Sequence, residues 1–321
     1  MSAAEQVIAG RPDVTVCVVS WNTKGLLRNC LRSLDAAATR TAVAVDVVDN
    51  ASTDGSVGVV RAEFPHVRLV ANTANVGFAR AVNQSLASAT GRYVLLLNSD
   101  AEATPGSIDE LVAFMDRTPG AGLATARLVS PDGSAQHCAQ AMPSVPRTLL
   151  EATRLHKLLP AKERARLLLG PYFTYDVAQR VGWTWGTALI CRRAAVEQVG
   201  PLSERFFLYG EDLDWSLRMG RAGWQVWFCP SAVVVHHGSG SAPPGQREAE
   251  RRRVIRTRSY EALALHRSRP RMAALHAASA LSGGLEWLSA RARRRPTGLA
   301  RETIAFHLKA AAGPLLRRGA T

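Results

Sequence analysis

Short runs of apolar residues alternate with amphipathic segments along the first hundred residues of the chain. The runs are rich in β-branched residues and nearly continuous, which is typical of parallel strands covered on both faces. The segments between them repeat apolar residues every three or four positions, as one face of a helix does. This alternation predicts an α/β fold with a doubly wound sheet. The predicted strands span 14–21, 43–50, 67–72 and 92–100.

Polar residues close each of these predicted strands. In a doubly wound sheet, ligands bind beyond the carboxyl ends of the strands. The polar side chains at these ends are therefore candidates for a binding site before any motif is considered. They are Ser20, Asn22, Asp49, Asn72, Asn75, Asn98 and Asp100.

The pattern between residues 147 and 237 is less regular. Residues 147–168 carry a basic amphipathic pattern that predicts one or two helices, broken at Pro160. A loop followed by a strand is predicted over 182–193, and two further strands over 224–230 and 232–237. No internal repeat and no low-complexity tract is present in the sequence.

The stretch "EDLDWSLRMGRAG" predicts a helix that starts near Glu211 with three acids in its first turn. Acids at a helix start cap free amide groups and interact favourably with the helix dipole. Asp214 is expected to pair with Arg218, which follows it by one turn. For Glu211 and Asp212 the pattern alone leaves two interpretations open, helix capping and chemistry.

The composition bounds the class of protein. The chain has 321 residues, 47% of them hydrophobic, which is enough for one large domain with an appendage. No run of about 18 apolar residues is present, so no transmembrane helix is expected. The first residues lack the basic and apolar regions of a secretory signal. Five scattered cysteines without a CxxC pair indicate reduced core thiols and a cytoplasmic location.

Positive charge is concentrated toward the end of the chain. Residues 246–321 contain 17 Lys and Arg against 5 Asp and Glu, so they carry +12 of the formal net charge of +14. The segment 238–246 is rich in Gly, Ser and Pro, which makes it a natural joint. We therefore predict a globular domain over 1–245 and a basic helical C-terminal extension over 246–321.

The basic extension allows three interpretations. Its Arg-flanked amphipathic helices suit the surface of an anionic membrane, and we favour this interpretation. They could instead pack on the globular domain with a solvated basic face. Nucleic-acid binding is not expected, because the extension lacks interleaved aromatic residues and any recognised nucleic-acid-binding motif.

Asp49 ends the second predicted strand and is followed by turn residues, "NASTDGS". This pattern fits a capped loop in which Asp54 caps the next helix. It equally fits an acid that accepts a hydrogen bond from the base or ribose of a ligand. The first strand is not followed by Gly-x-Gly-x-x-Gly, which argues against a dinucleotide-binding dehydrogenase.

Asn98 and Asp100 lie two positions apart at the end of a strand, so their side chains are expected on one side of it. Oxygen ligands of this kind suit Mg²⁺ or Mn²⁺ with diphosphate oxygens completing the shell, although ordinary turns use the same residues. His236 and His237 follow an apolar run and precede glycines. They are either a surface pair or the source of one further metal ligand.

The sequence contains, in order, the blocks "VVSWNTKGLLRNCLRSL", "VVDNASTDGS", "ANVGFARAVNQS", "LLLNSDA", "WGTALICRR", "LSERFFLYGEDLDWSLRMGRAGWQVWFCP" and "VVHHGSGS". These blocks occur in the order seen in family 2 inverting glycosyltransferases, and they resemble most closely its rhamnosyltransferase-like bacterial branch. The resemblance spans residues 13–241 and does not extend into the basic extension. It implies a GT-A fold with a Rossmann-like, mostly parallel sheet flanked by helices, a nucleotide-sugar donor, a divalent cation and transfer with inversion.

The resemblance implies roles for individual acids and for one histidine. Asp212 resembles the general base of the family, with Glu211 beside it to orient the acceptor. Asp100 resembles the metal-binding acid, and Asn98 stands where the family's DxD motif has its first acid. His236 has the family's His-x-Gly spacing and resembles its metal-proximal histidine better than His237 does, which completes the predicted metal site.

The resemblance also implies the residues that contact the two substrates. Trp185 and Gly186 resemble the acceptor-side loop. Asp49 resembles the acid that holds the nucleotide base. The residues implied in nucleotide-sugar binding are Ser20, Asn22, Asp49, Asn75, Gly77, Phe78, Arg80, Asn83 and Asn98.

The function implied is transfer of rhamnose from dTDP-rhamnose to a hydroxyl of a cell-envelope glycan or polyprenyl-linked acceptor. Galactofuranosyl or other hexosyl transfer is the alternative. A sugar nucleotidyltransferase is less favoured because "SWNTKGLL" lacks a Gly-rich basic loop, and a non-catalytic binder is less favoured because Asp49, Asp100 and Asp212 are all present. The expected location is the cytoplasm, with peripheral attachment to the inner face of the cell membrane.

Overall fold

The computed structural model describes residues 11–238, 248–294 and 296–312, which form two compact units. The first unit contains the chain up to Gln140 together with Thr174–Ile255. The second contains Ala141–Phe173 and the chain from Arg256 onward. The predicted domain boundary after residue 245, and all of the predicted joint beyond Gly238, lie outside the described residues.

The elements of the described chain alternate as expected over the first hundred residues and continue with further strands and helices. The strands are β1 (Val14–Ser20), β2 (Val43–Asp49), β3 (Arg68–Ala71), β4 (Tyr93–Asn98), β5 (Ala101–Ala103), β6 (Ala121–Val129), β7 (Ala139–Gln140), β8 (Gln179–Val181), β9 (Trp183–Thr184), β10 (Ala188–Arg192) and β11 (Gln225–His236). The helices are α1 (Lys24–Ala37), α2 (Ser56–Glu63), α3 (Phe78–Leu86), α4 (Ser107–Arg117), α5 (Val145–Ala152), α6 (Ala161–Leu168), α7 (Arg193–Val199), α8 (Glu211–Arg221), α9 (Glu248–His266), α10 (Arg269–Ala292) and α11 (Gly298–Ala312).

The first unit is built on a mixed, mostly parallel sheet. Its main path runs β3-β2-β1-β4-β10-β6-β11-β5, and β8 pairs with β11. The strands β3, β2, β1 and β4 are parallel neighbours, β11 is parallel to β6, and β10 runs antiparallel between β4 and β6. The carboxyl ends of β1, β2 and β4 therefore meet at one edge, where Ser20 pairs with Asp49 and Val19 with Asn98.

The predicted apolar stripes form the core of this unit. On α1, Leu27, Cys30, Leu31 and Leu34 are all buried, as the spacing of the apolar residues indicated. The strands β1 and β4 are buried along almost their whole length, as expected of central strands covered on both faces. The helix α3 packs on β1 and β2, and α4 packs on β11. All five cysteines are free and buried, which confirms that they are core thiols.

One sequence-based prediction about the strands is wrong. The segments 224–230 and 232–237 were predicted as two strands, but the single strand β11 runs through both from Gln225 to His236. Its pairing with β6 shifts register between Cys229 and Val233. A proline, Pro230, lies within that shift, and a bulge is where a strand tolerates a residue that cannot donate to the ladder.

The second unit is helical, and its described interior contains an aromatic and histidine cluster. The Tyr260 ring stacks on the His276 ring, and the Tyr260 hydroxyl lies 2.8 Å from Ser279 Oγ. The Nδ1 atoms of His276 and His307 are 3.0 Å apart. Burial lowers the pKa of His276, and burial, with smaller contributions from His276 and Arg256, lowers the pKa of His307 to about 4. The His307 ring is therefore uncharged near neutral pH.

The second unit also carries the whole net charge of the chain. By sequence it has 19 Lys and Arg against 5 Asp and Glu, whereas the first unit has 21 of each. None of the helices in the described ranges has the length and apolar character needed to cross a membrane.

Candidate functional site

The carboxyl edge of β1 and β4 is closed by a chain of hydroxyl groups. Ser20 Oγ lies 3.0 Å from Thr23 Oγ1, which in turn donates to Ser99 Oγ at 2.9 Å. All three residues are buried. The predicted binding residue Ser20 therefore ties the loop after β1 to the segment that carries Asp100.

Asp49 has one carboxylate oxygen engaged and one open. Its Oδ1 accepts the backbone N–H of Ser52 at 2.9 Å. Its Oδ2 is buried and accepts no hydrogen bond within the described part of the chain. A buried carboxylate oxygen with no donor is costly. A ligand N–H or O–H would supply the missing donor, which fits the predicted contact with a nucleotide.

Asn22 lies between the two loops that follow β1 and β2. It has a positive φ of 53°, which asparagine tolerates better than most residues. Its N–H donates to Ser52 Oγ at 2.8 Å, and its Oδ1 accepts the N–H of Thr53 at 2.8 Å. Asn22 thus fixes the loop next to Asp49, and Asp54 extends this junction by accepting the N–H groups of Lys24 and Ser56.

Asn50 is a site residue that sequence reasoning missed. It is 2% exposed, and its Nδ2 donates to Asn75 Oδ1 at 2.9 Å and to the Gly77 carbonyl at 3.3 Å. Its Oδ1 accepts the Val76 N–H and a side-chain N–H of Asn72. Asn50 therefore holds the "NVGF" block in place. In the sequence, the feature that could have marked Asn50 as a site residue is its position directly after Asp49.

The "NVGF" block touches the "FFLYGED" block at Gly77. Gly77 has φ 87° and ψ 165°, and an added Cβ would lie 2.8 Å from the Phe207 carbonyl oxygen. The next N–H, of Phe78, donates to that same oxygen at 2.8 Å. Only glycine combines this backbone conformation with so close an approach. The two most specific blocks of the sequence are thus in direct contact.

Asn83 and Arg80 face the loop that leads to α8. Asn83 Nδ2 donates to the Leu202 carbonyl at 2.9 Å, and its Oδ1 accepts the Leu202 N–H at 3.0 Å. Arg80 is exposed and lies 3.9 Å from a carboxylate oxygen of Glu204. The side chain of Asn83 therefore holds the backbone of the loop at Leu202. The Arg80 guanidinium stays accessible to a ligand.

The two acids that open α8 differ in their hydrogen bonds. Asp212 accepts the N–H of Leu213 through Oδ1 at 2.7 Å and also accepts the backbone N–H of Gly186. Glu211 is 5% exposed, and its Oε2 accepts no hydrogen bond within the described residues. Gly186 precedes β10, and the Thr187 carbonyl accepts the Asn98 N–H. The predicted acceptor-side loop, which includes the half-buried Trp185, thus connects Asp212 to the end of β4.

Burial controls the protonation of both acids. Desolvation raises the pKa of Asp212 to about 6, against the opposing hydrogen bonds from Leu213 and Gly186. Desolvation, with a smaller contribution from the charge of Asp212, raises the pKa of Glu211 well above its usual range. A carboxylate whose pKa lies near neutral pH is suited to accept a proton.

The third acid of the helix start is structural, as predicted. Asp214 Oδ2 accepts a hydrogen bond from Arg218 Nε at 2.8 Å, with the expected spacing of one turn. Arg218 also donates to the carbonyl groups of Val199 and Pro201. This pair anchors α8 to the preceding loop.

Asp100 and His236 face each other at the end of the sheet. His236 Nε2 lies 3.4 Å from Asp100 Oδ1, and both residues are buried. The second histidine turns to another acid, since His237 Nε2 lies 2.9 Å from Glu102 Oε1. No group of three or more His, Cys, Asp or Glu that could hold a metal occurs within the described ranges. A carboxylate and an imidazole are still a donor set that fits a divalent cation completed by diphosphate oxygens.

Comparisons with known proteins agree with this geometry. The model of "Glycosyl transferase family 2" matches residues 15–160, and that of "Glycosyl transferase family group 2" matches residues 93–257. The N-acetylglucosaminyl-diphospho-decaprenol L-rhamnosyltransferase of Mycobacterium tuberculosis is 34% identical over 250 residues, which cover 70% of this chain and 76% of that protein. The O-antigen biosynthesis protein RfbC of Myxococcus xanthus is 29% identical over 243 residues, covering 73% of this chain and 18% of that protein.

Solved structures with the same fold are more distant in sequence. A mannosyltransferase from Pyrobaculum calidifontis in complex with GDP-Man and Mn²⁺ superposes with a TM-score of 0.55 at 20% identity, covering 96% of this chain and 82% of that chain. GalNAc-T7 with UDP, GalNAc and Mn²⁺ gives a TM-score of 0.54 at 13% identity, covering 93% of this chain and 54% of that one. These likenesses confirm the predicted GT-A fold class. The chain belongs to glycosyltransferase family 2, in its rhamnosyltransferase-like branch.

Proposed function

We propose that this glycosyltransferase moves rhamnose from dTDP-rhamnose to a hydroxyl of a polyprenyl-linked glycan, with inversion at the anomeric carbon. The observation that carries the proposal is Asp212, a half-buried residue whose carboxylate has its pKa raised to about 6 by desolvation and accepts the Gly186 N–H. The choice of sugar and acceptor is supported by the 34% identity to the mycobacterial L-rhamnosyltransferase, whose name specifies a decaprenol-linked acceptor.

The donor would bind along the edge formed by β1, β2 and β4. The open Oδ2 of Asp49 would accept a hydrogen bond from the nucleotide, and the loop shaped by Asn50 would line the pocket with Asn75 and Gly77. Arg80 offers an accessible cation to an anionic donor. The Asp49 arrangement recognises a group that donates a hydrogen bond, and the base and ribose of a nucleotide both carry such groups.

Asp100 and His236 are the residues that would hold a divalent cation. Such a cation supplies positive charge next to the departing nucleoside diphosphate. The backbone at both residues is held by the sheet, because His236 pairs with Ala101 and the His237 N–H donates to the Asp100 carbonyl at 2.9 Å. The two residues are therefore close together before a ligand arrives.

The chain's own chemical contribution is proton removal from the acceptor. Asp212 accepts the proton of the acceptor hydroxyl as that oxygen attacks the anomeric carbon from the face opposite the nucleotide. Burial raises the pKa of Glu211 and so favours its protonated form, which can donate a hydrogen bond that orients the acceptor. A single displacement of this kind inverts the anomeric carbon and requires no protein nucleophile.

The substitution Asp212→Asn tests the proposal. We expect a folded protein whose turnover with dTDP-rhamnose and a polyprenyl-diphosphate-linked N-acetylglucosamine falls by about 10²–10⁴-fold, the usual contribution of a general base. Asp35→Asn, which changes an exposed acid on α1, is the matched control and should keep the wild-type rate. A folded Asp212→Asn variant with more than a tenth of the wild-type rate would exclude Asp212 as the base.

The same assay distinguishes the alternative donors. We expect turnover with dTDP-rhamnose to exceed turnover with UDP-galactofuranose and with UDP- and GDP-hexoses. The anomeric configuration of the product, read by NMR, should be opposite to that of the donor. A preference for another donor would replace rhamnose in the proposal while leaving the role of Asp212 in place, and retention of configuration would exclude the single displacement.

We further propose that the second unit attaches the enzyme to an anionic membrane, which places it at the cytoplasmic face where a polyprenyl-linked acceptor is anchored. This unit holds the whole net charge of +14. It also holds every exposed leucine of the described residues, although apolar side chains of this size are costly to leave in water. The exposed leucines are Leu155, Leu158, Leu167, Leu265, Leu281, Leu285, Leu288 and Leu308.

Two of these leucine groups belong to one surface of the second unit. On α10, Leu281, Leu285 and Leu288 follow one another at helical spacing and share a face. The short turn containing Leu155 and Leu158 lies beside this helix, because Arg154 Nη2 donates to Ser289 Oγ at 3.3 Å. Exposed leucines bordered by arginines are the combination that binds an anionic lipid surface.

A further inference from the structure

Gln136 contacts the predicted metal site but belongs to none of the motifs assigned above. It follows a tight turn after β6, where its N–H donates to the Leu128 carbonyl at 2.9 Å. Its side chain reaches across to β11 and makes two contacts with one residue, His236. Gln136 Nε2 lies 2.8 Å from the His236 carbonyl oxygen, and Gln136 Oε1 lies 2.7 Å from His236 Nδ1.

These two contacts determine which ring nitrogen of His236 carries the proton. A backbone carbonyl oxygen can only accept, so the amide nitrogen of Gln136 must face it, and Ser130 Oγ at 3.2 Å is a second partner for that nitrogen. The amide oxygen then faces His236 Nδ1. An amide oxygen also only accepts, so Nδ1 must be the donor. The neutral imidazole therefore presents an unprotonated Nε2.

The unprotonated Nε2 faces a second acceptor. It lies 3.4 Å from Asp100 Oδ1, so two atoms that both offer lone pairs are directed at one place. Two ligands at right angles on an octahedral Mg²⁺ or Mn²⁺ ion are about 3 Å apart, given bond lengths of about 2.1 Å. The separation of the two side chains is thus close to that of neighbouring ligands on one ion.

We propose that Gln136 is a positioning residue that holds His236 as its Nδ1–H tautomer, so that Nε2 faces Asp100 as a ligand for the divalent cation. This inference rests on the metal site of the proposed function. Histidine ligands commonly donate their other ring N–H to a fixed acceptor, which sets the tautomer and the ring orientation. The backbone already ties β11 to the residues around Asp100, so the side chain of Gln136 has the remaining task of fixing the ring.

The first test measures metal affinity in the presence of dTDP, by the loss of the free Mn²⁺ signal in electron paramagnetic resonance. We expect Gln136→Met, which keeps the side-chain length but removes both polar atoms, to weaken Mn²⁺ binding about 10–100-fold. Gln140→Met is the matched control, because Gln140 lies four residues further on and its side-chain amide donates a hydrogen bond to the His137 carbonyl instead. The Gln140→Met variant should bind Mn²⁺ as tightly as the wild type. Wild-type affinity in a folded Gln136→Met variant would overturn the inference.

The second test reads the tautomer directly and does not depend on metal. In protein labelled with ¹⁵N-histidine, the two ring nitrogens of His236 give distinct chemical shifts, and a His236→Gln variant assigns them. We expect the neutral ring of the metal-free wild type to carry its proton on Nδ1 and to leave Nε2 bare. A neutral ring with its proton on Nε2 would overturn the inference even if Gln136→Met failed to fold.

The Mn²⁺-binding measurement also shows whether the proposed metal site itself is wrong. If Asp100→Asn binds Mn²⁺ with dTDP as tightly as the wild type, the proposed ligand set is wrong and the inference falls with it. If Asp100→Asn and His236→Gln lose affinity while Gln136→Met does not, the metal site stands and only the role of Gln136 is excluded.

Discussion

At the scale of single residues, Asp212 and Glu211 share desolvation but differ in their hydrogen bonds. Both carboxyl groups lose water at the start of α8, and desolvation raises the pKa of each. The N–H groups of Leu213 and Gly186 partly replace the lost water around Asp212. Glu211, in contrast, has one carboxyl oxygen that accepts no hydrogen bond among the described residues. The hydrogen bonds from Leu213 and Gly186 favour the ionised form of Asp212, which supports its proposed role as the base.

The raised pKa of Asp212 predicts a pH profile for the enzyme. Only the ionised Asp212 can accept a proton, and its pKa is raised to about 6, so kcat/KM should fall as the pH drops below about 6. Well below that value the fall should approach tenfold per pH unit. Initial rates between pH 4.5 and 8 measure the profile. An acidic limb near the ordinary aspartate value, or the same limb in the residual activity of Asp212→Asn, would contradict the assignment.

Gly77 is the residue on which the junction of two sequence blocks depends. Its φ of 87° and ψ of 165° fall in a region that other residues avoid, and a Cβ there would meet the Phe207 carbonyl at 2.8 Å. We expect Gly77→Ala to lower the free energy of unfolding by about 2 kcal/mol or more. Chemical denaturation followed by circular dichroism measures this change.

A second glycine provides the control for that prediction. Gly58 lies within α2, and an added Cβ there meets no atom within 4 Å. Gly58→Ala should leave stability unchanged or raise it by up to about 1 kcal/mol, because alanine favours the helix. Equal stability of the two variants would show that the contact between Gly77 and Phe207 is dispensable.

At the scale of elements, the sequence predicted what local periodicity determines. The buried stripe of α1 and the buried strands β1, β2 and β4 follow from the spacing of apolar residues, and parallel pairing then brings Ser20, Asp49 and Asn98 to one edge. Helix α8 starts at Glu211 as predicted because a glycine and three acids mark its beginning.

What local patterns could not reveal are contacts between distant segments. The continuity of β11 through Pro230 depends on its pairing with β6, which is far away in the sequence. In the sequence, Asn50 and Gln136 look like ordinary turn residues. Only the fold places Asn50 against Asn75 and Gly77, and Gln136 against His236. Tertiary contacts of this kind have no short-range signature, so both residues emerged only from the structure.

At the scale of the whole molecule, net charge and exposed leucines both belong to the second unit. The sequence predicted that positive charge is concentrated at the end of the chain. In the structure, the second unit also contains residues 141–173, which add six Lys and Arg. The first unit is then neutral by formal charge. A neutral catalytic unit and a basic, leucine-exposing unit suggest two tasks, chemistry and attachment.

Attachment by this surface predicts binding to anionic vesicles. Leu281, Leu285 and Leu288 would insert between lipid headgroups, while the arginines that flank them attract the anionic surface. The intact chain should co-sediment with phosphatidylglycerol vesicles, bind phosphatidylcholine vesicles much more weakly, and lose affinity as salt is raised. Replacing the three leucines with glutamine should weaken binding by about tenfold or more. These side chains are exposed, so the fold should tolerate the change.

A control in the first unit separates insertion from a general effect of removing apolar surface. Val177 is also exposed, and Val177→Gln should bind vesicles like the wild type. Activity on a soluble acceptor analogue should be the same in all three proteins, whereas activity on a vesicle-embedded acceptor should fall only in the triple variant. Equal vesicle binding by the triple variant and the wild type would exclude this leucine surface as the point of attachment, because the remaining attraction would then be electrostatic alone.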